Sequence, residues 1–333
     1  MGAAFTTLQQ ALVPTSTSSS AAPSTPYCII AMSTASTPPP QIVNLWCHPR
    51  SCSTMFECSL LGLPEFHVLH EHFGESWYYS KERVSERFTE EDCKKGANWD
   101  QTYKKSCDEL VVPVEGKRTF NKDMAQYLID LSKPHGTVAA SLEGHSTTPN
   151  NPTLVPTELL FRSSPSMSHT FLIRHPSKAV PSYARLCEGD ASAITGFYGF
   201  DGREMGYKEL RKLFDFVREE TGATPLLIES EELLKDPEGV MAMWCDEVGI
   251  KFDKSMLEWD DQKRDHFDKW PGFHDDAKKS KGVGKQAKND DDSSPTLARS
   301  DPAAKPALRP ELQKAVEDCM EDYEYLKQFS RKP

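Results

Sequence analysis

An α/β fold of three layers, with a mainly parallel central sheet between helices, is the architecture this sequence predicts. Two observations carry the prediction. Five short strand-like runs, at 42–46, 67–70, 118–121, 170–173 and 226–228, alternate with helical stretches, the order expected of a parallel sheet whose helices cover both faces. The first run is apolar almost throughout, as a strand buried on both sides should be, and it leads into a loop fitted to hold an anion. At 333 residues the chain is long enough for one large domain of this kind with extensions.

The first run, Ile42, Val43, Leu45 and Trp46, is β-favouring, and Pro49 ends it. Thr54 and Glu57 stand at the spacing of a capping box, which places a helix N-terminus just after the loop. Backbone N–H groups at such a terminus, with the helix dipole behind them, form an anion site. Arg50 adds a cationic fork, and Ser51, Ser53 and Thr54 add hydroxyl donors. The usual triphosphate loop is absent, because residues 42–57 contain no glycine and no Gly-Lys pair. That counts against an ATPase, GTPase or kinase of the common type.

The later runs follow the same logic. The second ends in His70, Glu71 and His72. Together with His67 these histidines offer a metal-ligand reading, against which only residues 70 and 72 share a strand face. Lys122 follows the third run, and Asp123 is placed to cap a helix after it. Arg174 closes the fourth, and Pro176 suits the first turn of the helix that follows. Ser182 lies eight residues after Arg174, just over two helical turns, so both can line one face. The fifth run leads to Ser230, a candidate N-cap. A last helix is expected over 310–329, where Leu312, Val316, Met320, Tyr323 and Leu326 recur in an amphipathic stripe.

Composition bounds the setting. Residues 1–40 carry no charged side chain and are rich in Ser, Thr, Ala and Pro, so a disordered N-terminal extension is expected before a catalytic domain at 41–330. Met1-Gly2 with Thr6 meets a loose myristoylation pattern that chance explains as well, and Met32 is an alternative start. Residues 275–308 read as a low-complexity loop within the domain. The net charge of −11 disfavours nucleic acid or an anionic membrane as partner. An anionic ligand would need a local basic pocket, which Arg50, Lys122, Arg174 and Lys281 can supply. No apolar run reaches spanning length, and neither a secretory signal nor a transit peptide is evident. Nine cysteines at irregular spacing, without a C-x-x-C pair, suit reduced thiols in the cytoplasm and no structural zinc. Cys52, beside Arg50 at a helix start, stands where a thiol pKa can fall, although filling the loop is the simpler reading.

Two motifs together carry a family resemblance. P-R-S-C-S-T, residues 49–54, resembles the 5′-phosphosulfate loop of sulfotransferases, often P-R-S-G-[ST]-T, with Cys52 in place of the glycine. Arg174 and Ser182, in R-H-P-S-K-A-V-P-S-Y, match the Arg and Ser with which that family binds the donor's 3′-phosphate. The resemblance extends over about residues 40–330 and implies the P-loop NTPase-like sulfotransferase fold, with 3′-phosphoadenosine 5′-phosphosulfate (PAPS) as co-substrate and no metal. It implies donor contacts from Arg50, Ser51, Cys52, Ser53 and Thr54, from Arg174 and Ser182, and from Lys281 and Gly282 over the adenosine end.

For catalysis, Glu71 resembles the base of tyrosylprotein-type members, and His70 or His72 is the alternative, as a His serves in cytosolic members. Lys122, in N-K-D, resembles the lysine that stabilises the donor's bridging oxygen. The acceptor is expected to be a small-molecule hydroxyl or phenol. Its pocket would draw on segments 73–110 and 186–208, among them Phe73, Trp77, Tyr78, Phe197 and Tyr198. The competing readings are a non-catalytic relative that binds a nucleotide and an ATP-dependent phosphotransferase.

Overall fold

β1 (Ile42–Cys47) is buried along its whole length at the centre of a parallel sheet. The computed structural model describes residues 40–259, 265–283 and 307–333. Four further strands flank β1: β2 (Phe66–His70), β3 (Arg118–Met124), β4 (Met167–Ile173) and β5 (Leu227–Glu229). Their order is β2-β3-β1-β4-β5 and every pairing is parallel. Four of the five expected runs lie within these strands, and the fifth is offset by one residue. The order reverses at β1, so ligand-binding crevices open at the carboxyl ends on either side of it.

Two layers of helices enclose the sheet. On one face α1 (Ser53–Leu61) brings Phe56 against Trp244 in a later helix, with ring centroids 5.3 Å apart. Trp244 also packs edge-on against Phe120 of β3 at 5.8 Å and donates from its indole to Thr170 of β4. These rings bury large apolar areas in preferred edge geometry. On the opposite face Phe171 of β4 meets Phe214 at 5.2 Å. The α/β three-layer architecture expected from the alternation is therefore present.

The remaining long helices are α2 (Pro176–Leu186), α3 (Tyr207–Thr221), α4 (Pro237–Val248) and α5 (Pro310–Lys327). Trp244 belongs to α4 and Phe214 to α3. The C-terminal helix matches the expected stripe except that Met320 is only half-buried, while Ala315 and Cys319 join the buried side. It packs on α2 and α3 as well as on β4, so it closes a helical layer and does not rest on the sheet alone.

The loop expected at 275–308 begins instead as a short helix, Asp275–Lys279, followed by a chain that pairs Gly282 with Glu258. The rest of it, 284–306, lies outside the described residues, as does the expected disordered extension up to residue 39 with Met1, Gly2, Thr6 and Met32. Among the described residues no helix is long and apolar enough to cross a membrane.

Candidate active site

Every strand delivers chemistry to the same edge. β1 runs into His48–Cys52, β2 into Glu71, β4 into Arg174 and β5 into Ser230, and the register sets His70 opposite Lys122. A cavity of about 460 Å³ opens there.

The loop after β1 owes its shape to two left-handed residues. Arg50 has φ 63° and Cys52 φ 68°, a region that costs a side-chain-bearing residue about 1–2 kcal/mol. The fold holds it there with cross-links. Ser230 donates its hydroxyl to the carbonyls of Ser51 and Ile173. Arg174 donates from Nη1 to the Arg50 carbonyl at 3.0 Å. His48, fully buried, accepts from the Arg174 amide at Nε2 (2.9 Å) and has Nδ1 3.0 Å from the Pro49 carbonyl. Burial pushes the His48 pKa down to about 3, so the ring is neutral and its Nε2 stays free to accept.

Cationic and hydroxyl groups from separate segments meet over this loop. Arg50 Nε donates to Ser182 Oγ at 3.0 Å, and its Nη1 donates to the Phe273 carbonyl at 2.5 Å. Ser51 Oγ and Arg174 Nε are buried without a hydrogen-bond partner, a costly state in a dry interior. Arg50, Ser53, Thr54, Arg174, Ser182 and Arg185 border one end of the cavity. A positive end with spare donors is what a phosphorylated ligand requires.

Farther in, Lys122 is completely buried, with Nζ 2.6 Å from Glu71 Oε1 and 3.8 Å from Glu57 Oε2. Burial alone would lower the Lys122 pKa; Glu71 and Glu57 outweigh it and lift the value to about 12. The pair's contribution to stability is therefore present below the unfolded lysine pKa and is lost only as pH rises through about 12. Glu71 has φ 48°, accepts from Tyr127 Oη at 3.3 Å and gives its carbonyl to Lys269 Nζ at 2.8 Å. Much of the remaining lining is aromatic, with Tyr78, Tyr127, Tyr183, Phe197, Trp270 and Phe273.

With this geometry in place, comparison with known proteins is decisive. The sulfotransferase-family model matches residues 43–254, more than half of the chain. The chain belongs to the sulfotransferase family. Among similar proteins, the sulfotransferase ppzF of Metarhizium majus is 28% identical over 203 residues, covering 53% of this chain and 55% of that one. The branched-chain-amino-acid aminotransferase-like protein 2 of Arabidopsis thaliana is 28% identical over 106 residues, 32% of this chain and 16% of its own length. This sulfotransferase-family chain thus spans about half or less of the curated relatives it matches. Of solved structures, the sulfotransferase domain of the Synechococcus PCC 7002 olefin synthase aligns with TM-score 0.43 and 18% identity, over 83% of this chain and 93% of that one. Retinol dehydratase in complex with retinol and PAP aligns with TM-score 0.33 and 16% identity, over 66% and 63%.

Within this family member the motif residues Arg50, Cys52, Ser53, Thr54, Arg174 and Ser182 line the cavity together with Glu71, whereas Ser51, Lys122 and His70 are buried outside its lining. Other expectations are corrected. Thr54 and Glu57 do not form a capping box, since α1 has no side-chain cap; Thr54 reaches His274 and Glu57 reaches His70. Ser230 is the first residue of its helix, not the cap. Asp123 stays in β3 and accepts from the Phe73 and Met124 amides. His72 is not at the cavity: the left-handed turn at Glu71 ends strand alternation, and His72 lies 3.0 Å from Glu109. Burial pushes its pKa down to about 4.

Lys281 is exposed and away from the cavity wall, and Gly282 is needed where a Cβ would meet the Leu257 carbonyl at 2.6 Å. Tyr78 and Phe197 line the cavity, whereas Phe73 and Trp77 are core residues outside its wall and Tyr198 is exposed. The histidine cluster is His70, Glu71 and His274, with ligand atoms within 4.8 Å of one another, so His67 and His72 drop out. The Lys122 ammonium against Glu71 opposes a cation there. His48 and His274 were missed by sequence reasoning, and no local pattern distinguishes them; Glu57 was read only as a capping-box partner.

Burial pushes the Cys52 thiol up, and the opposing pull of Arg174 and Arg50 is weaker, which argues against an activated thiol. Its backbone explains the glycine common at this position. Cys52→Gly is expected to stabilise the fold by about 1 kcal/mol, and Cys52→Val to destabilise it by more than that. Urea unfolding measures both; a valine variant as stable as the parent would remove the backbone argument.

Proposed function

We propose that this chain transfers a sulfuryl group from PAPS to a hydroxyl or phenol of a small molecule. The observation that carries the reading is convergence: Arg50, Arg174 and Ser182 come from distant segments to one end of a cavity whose other walls hold Glu71 and aromatic rings. The loop and Arg174 are cross-linked into one cationic cluster, since Arg174 holds the Arg50 carbonyl and Arg50 reaches Ser182, and such a cluster suits a phosphorylated donor. In the proposed step the acceptor oxygen bonds to sulfur while the bond from sulfur to the bridging oxygen breaks. Glu71 receives the acceptor's proton, and the bond's electron pair leaves with the 5′-phosphate, where Lys122 stabilises it. In-line positioning supplies much of the acceleration.

The aromatic wall, with Tyr78, Phe197 and Trp270, favours a planar or apolar acceptor body. No metal enters this reading. The proposed setting is cytoplasmic, since a reducing compartment keeps the free cysteines, of which all but Cys52 are buried among the described residues, as thiols.

Calorimetric titration with the 3′,5′-bisphosphate product against ATP tests the donor. The bisphosphate is expected to bind at least about a hundredfold more tightly, the worth of one or two charged contacts. Equal binding would leave the phosphotransferase reading standing in its place. Tight bisphosphate binding without transfer to any acceptor would instead favour a non-catalytic relative.

A further inference from the structure

Four side chains form a continuous hydrogen-bonded line beside the loop. Glu57 Oε2 lies 2.8 Å from His70 Nδ1, His70 Nε2 lies 3.0 Å from His274 Nε2, and His274 Nδ1 lies 2.9 Å from Thr54 Oγ1. All four residues are buried, and Thr54 and His274 border the cavity. They come from α1, β2 and the turn before the Asp275–Lys279 helix, so the line ties three elements to the loop.

Hydrogen-bond chemistry gives the line a direction. An ionised carboxylate only accepts, so His70 carries its proton on Nδ1. A neutral ring then has a lone pair on Nε2, which obliges His274 to donate from its own Nε2. His274 Nδ1 is left as an acceptor, and Thr54 donates to it. In that state the Thr54 proton points away from any anion in the loop. An anion seated there needs the opposite polarity, with His274 donating to Thr54 and Thr54 donating to the anion. One proton from solvent achieves this. His70 becomes an imidazolium that donates to both Glu57 and His274, and His274 moves its proton from Nε2 to Nδ1.

Among the described residues, the charged and titratable groups around His70 include Glu57 from α1, His274, Glu71 at 3.7 Å and, at the paired position of β3, Lys122. His274 also has Glu71 at 3.7 Å.

We propose that Glu57, His70 and His274 are positioning residues that set the direction of the Thr54 hydroxyl through this relay, and that the relay reverses when an anion seats in the loop. The reversal rests on the donor site proposed above; the resting direction does not. Nitrogen NMR of the full chain labelled with ¹⁵N-histidine tests both, with His70→Gln and His274→Gln used to assign the signals. Free protein is expected to show the Nδ1–H form of His70 and the Nε2–H form of His274. Adding the 3′,5′-bisphosphate is expected to give doubly protonated His70 and Nδ1–H His274.

Glu57→Gln should mix the free tautomers and weaken bisphosphate binding about tenfold, one charge-assisted hydrogen bond. Thr54→Val should keep the free tautomers and lose the reversal, while Thr54→Ser restores it. The relay is overturned by an Nε2–H form of His70 in free protein. Glu57→Gln spectra identical to the parent would overturn it as well. Unchanged tautomers with bound bisphosphate, or a reversal that survives in Thr54→Val, remove the reversal alone. Failure of the bisphosphate to bind removes the donor reading and the reversal with it, while the free spectra still decide the resting direction.

Discussion

Lys122→Met is expected to abolish detectable transfer and to cost about 3–5 kcal/mol of folding stability. The methionine fills the same buried volume but leaves the Glu71 carboxylate, whose Oε1 lies 2.6 Å from Nζ, without its ammonium. The fully buried Glu57, 3.8 Å from Nζ, loses the same charge. Against a total stability of roughly 5–15 kcal/mol, that loss is large. In the proposed mechanism the catalytic loss has a separate cause, the missing positive charge at the departing oxygen, and is expected to reach about 10³-fold.

The double variant Lys122→Met with Glu71→Gln tests the stability part alone, because Glu71 is itself the proposed base. Removing the stranded carboxylate should recover part of the stability in urea unfolding and none of the transfer rate. Retention of transfer within about tenfold of the parent by Lys122→Met would end the proposed role for this lysine.

The parts of the site legible in the sequence are those with a local signature. β1, its loop and α1 form one strand–loop–helix unit, and Arg174 with Ser182 forms another, so residue types and spacing were sufficient. The positive φ at Cys52 was hidden because cysteine occupies a position that glycine would have flagged. Thr54 and Glu57 show why local reasoning fails elsewhere. Their spacing satisfies a capping box, but each side chain has a better partner in the folded chain, Glu57 in His70 thirteen residues on and Thr54 in His274 across 220 residues. Sequence spacing reports only the competitor that is near in the chain. His274 was invisible for the same reason: it stands at the edge of a polar stretch, and only the fold brings it to the loop. His72 fails in the other direction, since strand alternation was extended one residue past a left-handed turn.

Arg174→Met is expected to weaken bisphosphate binding by about a hundredfold or more, with a much smaller change in the transfer rate at saturating donor. Two functions meet in this side chain. Its Nη1 holds the carbonyl of Arg50, a residue in left-handed conformation, and its Nε is buried without a protein partner beside the same cavity. Methionine keeps the packing, while the Arg174 amide and carbonyl still bond His48 and Tyr207, so the backbone frame should persist. The affinity loss therefore combines one or two charged hydrogen bonds, each about 1.5–3 kcal/mol, with a less ordered loop.

Arg174→Lys is expected to recover only part of the affinity, because an ammonium supplies charge without the planar fork. Ser182→Ala, which removes one neutral hydroxyl, should cost about tenfold or less. Calorimetry gives the affinities and initial rates give KM and kcat. Lys122→Met should lower kcat while leaving bisphosphate affinity nearly intact, and Arg174→Met should do the reverse. A bisphosphate Kd for Arg174→Met equal to that of the parent would show that the cationic end of the cavity is not where the donor's phosphate sits.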